Sequence, residues 1–274
     1  MLLFAAVIAF SVYALLVVVL WVQQERVVFQ PPSVLPAGRL TRVGGQAVAH
    51  VSYRAGDGTA LTAYVVGDPR ATRGTLIAFH GNADLARNLI PWAAELGRRT
   101  GFSVLLPELR GYDGLAGTPT YTGAGLDARA AYAFVRDSFG LGSRRLAYFG
   151  HSLGSAIATE LAAEHPPRVL LLQSPFSSAR AMARRMFIPG LALFWPIVSR
   201  VHYDTIFRVR SLAVPVWVAH GNRDLIIPSR MGREVFDAAA EKGELLVVAG
   251  AGHNDVSESG GDDYWRWVER ALAT

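Results

Sequence analysis

The chain has 274 residues, 51% of them apolar, with a formal net charge of +5 and no cysteine. That is ample material for one large core, and it excludes disulfides and thiolate metal sites. The cations are arginines apart from Lys242, scattered rather than gathered on one helix face, so a nucleic-acid partner has no support.

Leu2 to Val22 is an uncharged, largely apolar run of 21 residues. As a helix it reaches about 31 Å, the thickness of a hydrocarbon core. A cleaved signal peptide would show a charged start, a shorter apolar stretch and a small-residue exit, and this run has none of the three. The expectation is an uncleaved single-pass anchor over residues 1–24, with Trp21 at the interface and membrane lipid as its partner. Arg26, Arg39 and Arg42 follow the run and none precedes it, a small bias toward a cytoplasmic domain. Pro31, Pro32 and Pro36 predict an extended linker within residues 25–46.

The remainder, residues 47–274, alternates short apolar runs with helical stretches. Ala47–Tyr53 and Leu61–Val66 flank Gly56-Asp57-Gly58, a hairpin signal. Strands follow at Thr75–Phe79, Phe102–Leu106, Arg145–Phe149, Arg168–Leu172, Val214–Ala219 and Leu245–Ala249. Helices are predicted at Leu85–Arg98, Gly123–Phe139 and Ser155–Glu164. Such alternation predicts an α/β domain with a mostly parallel sheet covered on both faces, where ligands bind beyond the carboxyl ends of the strands. Phe79-His80-Gly81-Asn82-Ala83-Asp84-Leu85 and Ala219-His220-Gly221-Asn222-Arg223-Asp224-Leu225 echo one another at two strand ends. Their flanks differ, so they read as two similar strand-to-helix turns and not as a duplication.

Gly150-His151-Ser152-Leu153-Gly154 lies between an apolar strand and a helix. In that context Gly-x-Ser-x-Gly is a nucleophile elbow, with a serine on a tight turn and glycines where strand and helix cross closely. A serine hydroxyl needs an adjacent base held by an acid. Of seven histidines, His50 lies on an early strand, His165 ends a helix and His202 belongs to a loop. His80 and His220 sit where a ring can brace a turn, and His151 points away from its neighbour. His253, in the glycine-rich loop after the last strand, is left as the base. Asp224, after the penultimate strand, is the acid. Asp204 falls toward the opposite edge, Asp255 is too near His253 in sequence, and the loop after Leu172 has no carboxylate. The order Ser152, Asp224, His253 accompanies this elbow. Two backbone N–H donors are needed for the oxyanion: Leu153 supplies one and the loop after Phe79 the other, with Asn82 ahead of Ala83.

These motifs, together with Arg110-Gly111-Tyr112, His220-Gly221-Asn222-Arg223-Asp224 and Gly252-His253-Asn254-Asp255, resemble those of α/β-hydrolase superfamily serine hydrolases, from about Phe29 to the end. More narrowly the chain is similar to the membrane-anchored α/β-hydrolase domain-containing proteins, which also carry an N-terminal apolar anchor and a Pro-Pro segment like Pro31-Pro32. The resemblance implies an α/β-hydrolase fold and ester or thioester hydrolysis on acyl lipids or acylated proteins, with neither metal nor organic cofactor. Arg110 to Gly117 departs from the family, which usually has Gly-x-Ser after the tyrosine.

Residues 176–207 are too long for a plain connection and are expected to form a cap-like insertion. Phe176, Phe194 and Trp195 would then line an acyl pocket. The same stretch could instead pack as an ordinary helix, or rest on an anionic lipid surface through Arg180, Arg184, Arg185 and Arg200. Two other functions share these features. One is a serine aminopeptidase-like hydrolase, which needs an acidic pocket for the substrate amine. The other is a catalytically silent membrane-tethered binding module.

Overall fold

A computed structural model describes residues 2–33, 40–186 and 199–274. Phe194 and Trp195, two of the residues expected to line the pocket, lie outside the described residues. The described part contains a nine-stranded sheet in the order β1-β2-β3-β5-β4-β6-β7-β8-β9. In chain order the strands are Arg42–Val43, Gln46–Arg54, Ala60–Val66, Thr75–Phe79, Ser103–Pro107, Leu146–His151, Val169–Gln173, Val216–Gly221 and Lys242–Val248. The first three strands and the β3–β5 pair are antiparallel; β5, β4, β6, β7, β8 and β9 run parallel.

The parallel strands read as unbroken apolar runs because both faces are buried. Along β4, Ile77 and Phe79 join one core while Leu76 and Ala78 join the other. Along β6, Tyr148 faces the first core and Ala147 and Phe149 the second. Helices cover both faces: α2 (Ile90–Thr100), α3 (Tyr121–Phe139), α4 (Leu153–Glu164), α5 (Ala179–Met186), α6 (Thr205–Val209), α7 (Ser229–Ala238) and α8 (Val256–Ala273). Their ends follow local chemistry. Pro91 sits in the first turn of α2, where a missing N–H costs nothing, and Gly101 ends it at φ 70°. Thr120 caps α3 by accepting the Gly123 N–H. The helix predicted from Leu85 begins instead as a 3-10 turn, Ala86–Leu89, and turns α-helical at Ile90.

The N-terminal helix, α1, spans Leu2–Val28. Among the described residues no single helix is long and apolar enough to cross a membrane; Leu3–Val19 and Trp21–Val28, bent by 45°, meet the requirement together. The helix continues four residues beyond the expected anchor boundary, and Phe29, placed by sequence in a linker, is 2% exposed within the core. The reason is local packing. Glu25 Oε1 accepts the Tyr121 N–H at the start of α3, and the Gln24 side chain accepts the Arg200 N–H. Arg200 also lies over the Trp21 ring. A carboxylate at the positive end of α3 is favourable, so the lower half of α1 is seated on the domain.

Candidate active site

The carboxyl ends of β4, β6, β8 and β9 converge on one cavity of about 700 Å³. Ser152 sits in the turn from β6 into α4 at φ 54° and ψ −118°, a conformation that ordinary side chains avoid. The flanking glycines make this turn possible. A Cβ on Gly150 would overlap the Gly154 carbonyl, and one on Gly154 would overlap the Phe79 carbonyl. The Ser152 N–H is held by the Gln173 carbonyl on β7.

Ser152 Oγ lies 2.9 Å from His253 Nε2, and His253 Nδ1 lies 2.6 Å from Asp224 Oδ2. With Nδ1 against a carboxylate, the ring carries its proton there and presents the Nε2 lone pair to the serine. Asp224 Oδ1 accepts the Ile226 and Ile227 N–H groups. Burial alone would raise the Asp224 pKa; hydrogen bonds from His220 and His253 outweigh it and hold the carboxyl well below its usual range. The rival acids work elsewhere: Asp204 caps α6, and Asp255 accepts from the Gly252 N–H and the Ser259 hydroxyl before α8.

Two further histidines, His220, read from sequence as a brace, and His151, read as directed away from the serine, join this network. His220 is fully buried, and its Nε2 lies 2.8 Å from the Ile227 carbonyl and 3.1 Å from Asp224 Oδ2. Facing two acceptors, that nitrogen carries a proton, so Asp224 is gripped by two imidazoles. The His151 ring lies beside that of His253, and its Nε2 donates to the His253 carbonyl. Burial, reinforced by neighbouring His253, pulls the His151 pKa down to about 4. Of the remaining histidines, His50 lies against Tyr64, His165 stacks on Tyr132 and His202 meets the edge of Tyr121.

Asn82, Ala83 and Leu153, the expected oxyanion donors, line the same cavity as Ser152. Asn82 Oδ1 accepts from the Tyr112 hydroxyl at 2.9 Å and from the Gln30 N–H at 2.8 Å. Ala83 has a positive φ of 54°. His80, buried beneath the loop, places Nε2 2.8 Å from Glu108 Oε1. Burial would lower its pKa, but the Glu108 charge and hydrogen bonds raise it on balance. The loop 110–117 meets the site through fully buried Tyr112, and Arg110 is clamped by Asp127 and Asp57. No pattern in the sequence joins Gln30 to Asn82 or His220 to Asp224; the second pair is four residues apart, but nothing local shows that the loop curls back.

Phe176 lines the cavity together with Met182, Val201 and Tyr203, so its wall is largely apolar. Among the described residues no group of three or more His, Asp or Glu side chains could hold a metal ion.

The chain belongs to the α/β-hydrolase family. The family model for the alpha/beta hydrolase fold matches residues 74–174. An uncharacterized protein of Mycobacterium tuberculosis, Rv2307c, is 34% identical over 252 residues, covering 86% of this chain and 82% of its own. Human alpha/beta hydrolase domain-containing protein 17B is 26% identical over 200 residues, covering 72% of this chain and 64% of its own. Among solved structures, the esterase Pf2001 of Pyrococcus furiosus superimposes with a TM-score of 0.68 at 18% identity, over 88% of this chain and 99% of its own. A bacterial heroin esterase gives 0.66 at 22% identity, over 84% and 86%. These two likenesses concern the fold.

Proposed function

We propose that this protein is a serine hydrolase that cleaves carboxylic ester or thioester bonds of acyl substrates, held at a membrane by its N-terminal helix. The observation that carries the reading is the hydrogen-bonded run from Ser152 through His253 to Asp224, opening onto a largely apolar cavity. Ser152 Oγ attacks the acyl carbonyl while His253 Nε2 takes the hydroxyl proton. Asp224 holds the imidazole and offsets the charge it gains. The oxyanion forms against the Leu153 and Asn82 amides, each contributing about 2.7–4 kcal/mol to transition-state stabilisation. Collapse expels the alcohol or thiol, which takes the proton from His253 and leaves an acyl group on Ser152. Water, deprotonated by His253, releases the acid and restores the serine. Phe176 belongs to the acyl-binding wall, and Phe194 and Trp195 are proposed to extend it.

An aminopeptidase-like reading needs a free carboxylate for the substrate amine. Asp84 is on the cavity wall, but its Oδ1 accepts from the Leu85 N–H and the Asn88 side chain. That engagement favours the ester reading. Fluorophosphonate labelling of wild type and Ser152→Ala, followed by p-nitrophenyl esters of graded chain length, tests both. Labelling only of wild type and ester turnover are expected. An unlabelled wild type rejects the enzyme, and turnover of aminoacyl amides without esters favours the peptidase.

A further inference from the structure

Three residues of the cavity wall come from the end of α1 and the chain just beyond it: Val27, Val28 and Gln30. They lie more than 120 residues from Ser152 in sequence. Yet this end of the helix is fixed in place. Phe29 is buried in the core with Val28 packed against it, Glu25 holds the start of α3, and the Gln30 N–H donates to Asn82 Oδ1. Asn82 belongs to the loop that carries the proposed oxyanion amide, and the buried Tyr112 hydroxyl fixes the same oxygen. The helix end is therefore tied at one point to the polar machinery and at the next residues presents two valine side chains to the substrate space.

Resting on the hydrolase reading above, we infer that Val27 and Val28 are specificity-determining residues: they form the part of the wall that limits the length of acyl chain the cavity accepts. Both are half-buried and branched at Cβ, so their side chains are stiff and bound a definite volume. An acyl chain gains about fourfold in affinity for each methylene it buries, up to the wall that stops it. Moving that wall changes the length at which the gain ends, without touching the reacting carbonyl.

The experiment uses the full chain in detergent, with Val28→Phe, Val27→Phe, Val28→Ala and, as a control on the exposed face of α1, Val22→Phe. Each is compared by kcat/KM on p-nitrophenyl butyrate and laurate and by the rate of fluorophosphonate labelling. The Phe variants are expected to lower the laurate-to-butyrate ratio of kcat/KM at least tenfold. Val28→Ala is expected to raise the ratio, and Val22→Phe to leave it unchanged. Unaltered ratios in all the Val27 and Val28 variants, with normal labelling, overturn the inference and leave the hydrolase intact. A Phe variant that fails to fold passes the decision to Val28→Ala, whose unchanged ratio is equally fatal. A wild type that neither labels nor turns over ester rejects the hydrolase reading, and this inference with it.

Discussion

The same string, His-Gly-Asn-x-Asp, lies at the carboxyl ends of β4 and β8, yet its residues do different work at the two places. After β4, His80 faces Glu108, Asn82 is gripped by Gln30 and Tyr112, and Asp84 spends its carboxylate on Leu85 and Asn88. After β8, His220 reaches Asp224 itself, Asn222 accepts the Gly250 N–H, and Asp224 offers the same oxygen, Oδ2, to His253. Local sequence sets the turn in both. The assignment of carboxylate or amide to chemistry is made by neighbours: Glu108 lies beside one loop and the loop after β9 beside the other. A motif at a strand end therefore carries geometry, and its function follows from the strands next to it.

The sharpest way to break this comparison is to neutralise both aspartates. Asp224→Asn is expected to lower kcat on an ester by about 10⁴-fold, by losing the ring orientation and charge it supplies. Asp84→Asn should stay within about threefold. Equal losses in steady-state assays would show that the two carboxylates are not distinct in role.

The two buried histidines separate by stability. His80→Phe leaves the Glu108 carboxylate buried without its partner and is expected to cost about 3–5 kcal/mol in denaturant unfolding. His220→Phe leaves the Ile227 carbonyl unpaired and weakens the hold on Asp224, at about 1–3 kcal/mol, with a loss of kcat that His80→Phe does not show at equal folded fraction. A reversed order would mean that the loop after β8, not the loop after β4, carries the greater structural weight.

His151 lies where the loops meet, its Nδ1 against Gly81 and its Nε2 on the His253 carbonyl. Its folded-state pKa of about 4 lies below the ordinary 6.5, so on acidification the unfolded chain takes up the proton first. Stability is therefore present above about pH 6.5 and lost as pH falls toward 4, by up to about 3 kcal/mol. Unfolding midpoints at pH 7 and pH 4 should differ less in His151→Asn than in wild type. An identical difference would remove His151 from the acid response. The smallest expected effect is on the asparagines. Asn82→Ala should cut kcat about tenfold, with KM little changed, if the amide proposed for the oxyanion acts only in the transition state. Asn222→Ala should remain within twofold.

How much of this was legible in the sequence follows from the range of the forces involved. The parallel sheet could be read because strands buried on both faces must be apolar without interruption, as in Thr75–Phe79 and Val169–Gln173. Ser152, Asp224 and His253 could be placed because the end of a parallel strand fixes where the next residues emerge. The grip of His220 on Asp224 depends on how one short loop closes. The bond between Gln30 and Asn82 spans 52 positions and belongs to tertiary packing alone. The seat of α1 was hidden for another reason: an apolar run read as an anchor gives no sign that its last turn packs against protein.

Backbone strain in this molecule is not spread evenly. Among the described residues, Ser152 (φ 54°), Ala83 (φ 54°), Ser174 (φ 49°) and Asp113 (φ 46°) are the non-glycine residues at positive φ, and the first three lie at the carboxyl ends of β6, β4 and β7. Each such conformation costs about 1–3 kcal/mol. Glycine would relieve it at every one of these positions, and at Ser152 would delete the proposed nucleophile as well. Heat resistance and chemistry are thus set against each other at the same few residues. Selected for heat resistance alone, the chain would lose its active site before the rest of its fold.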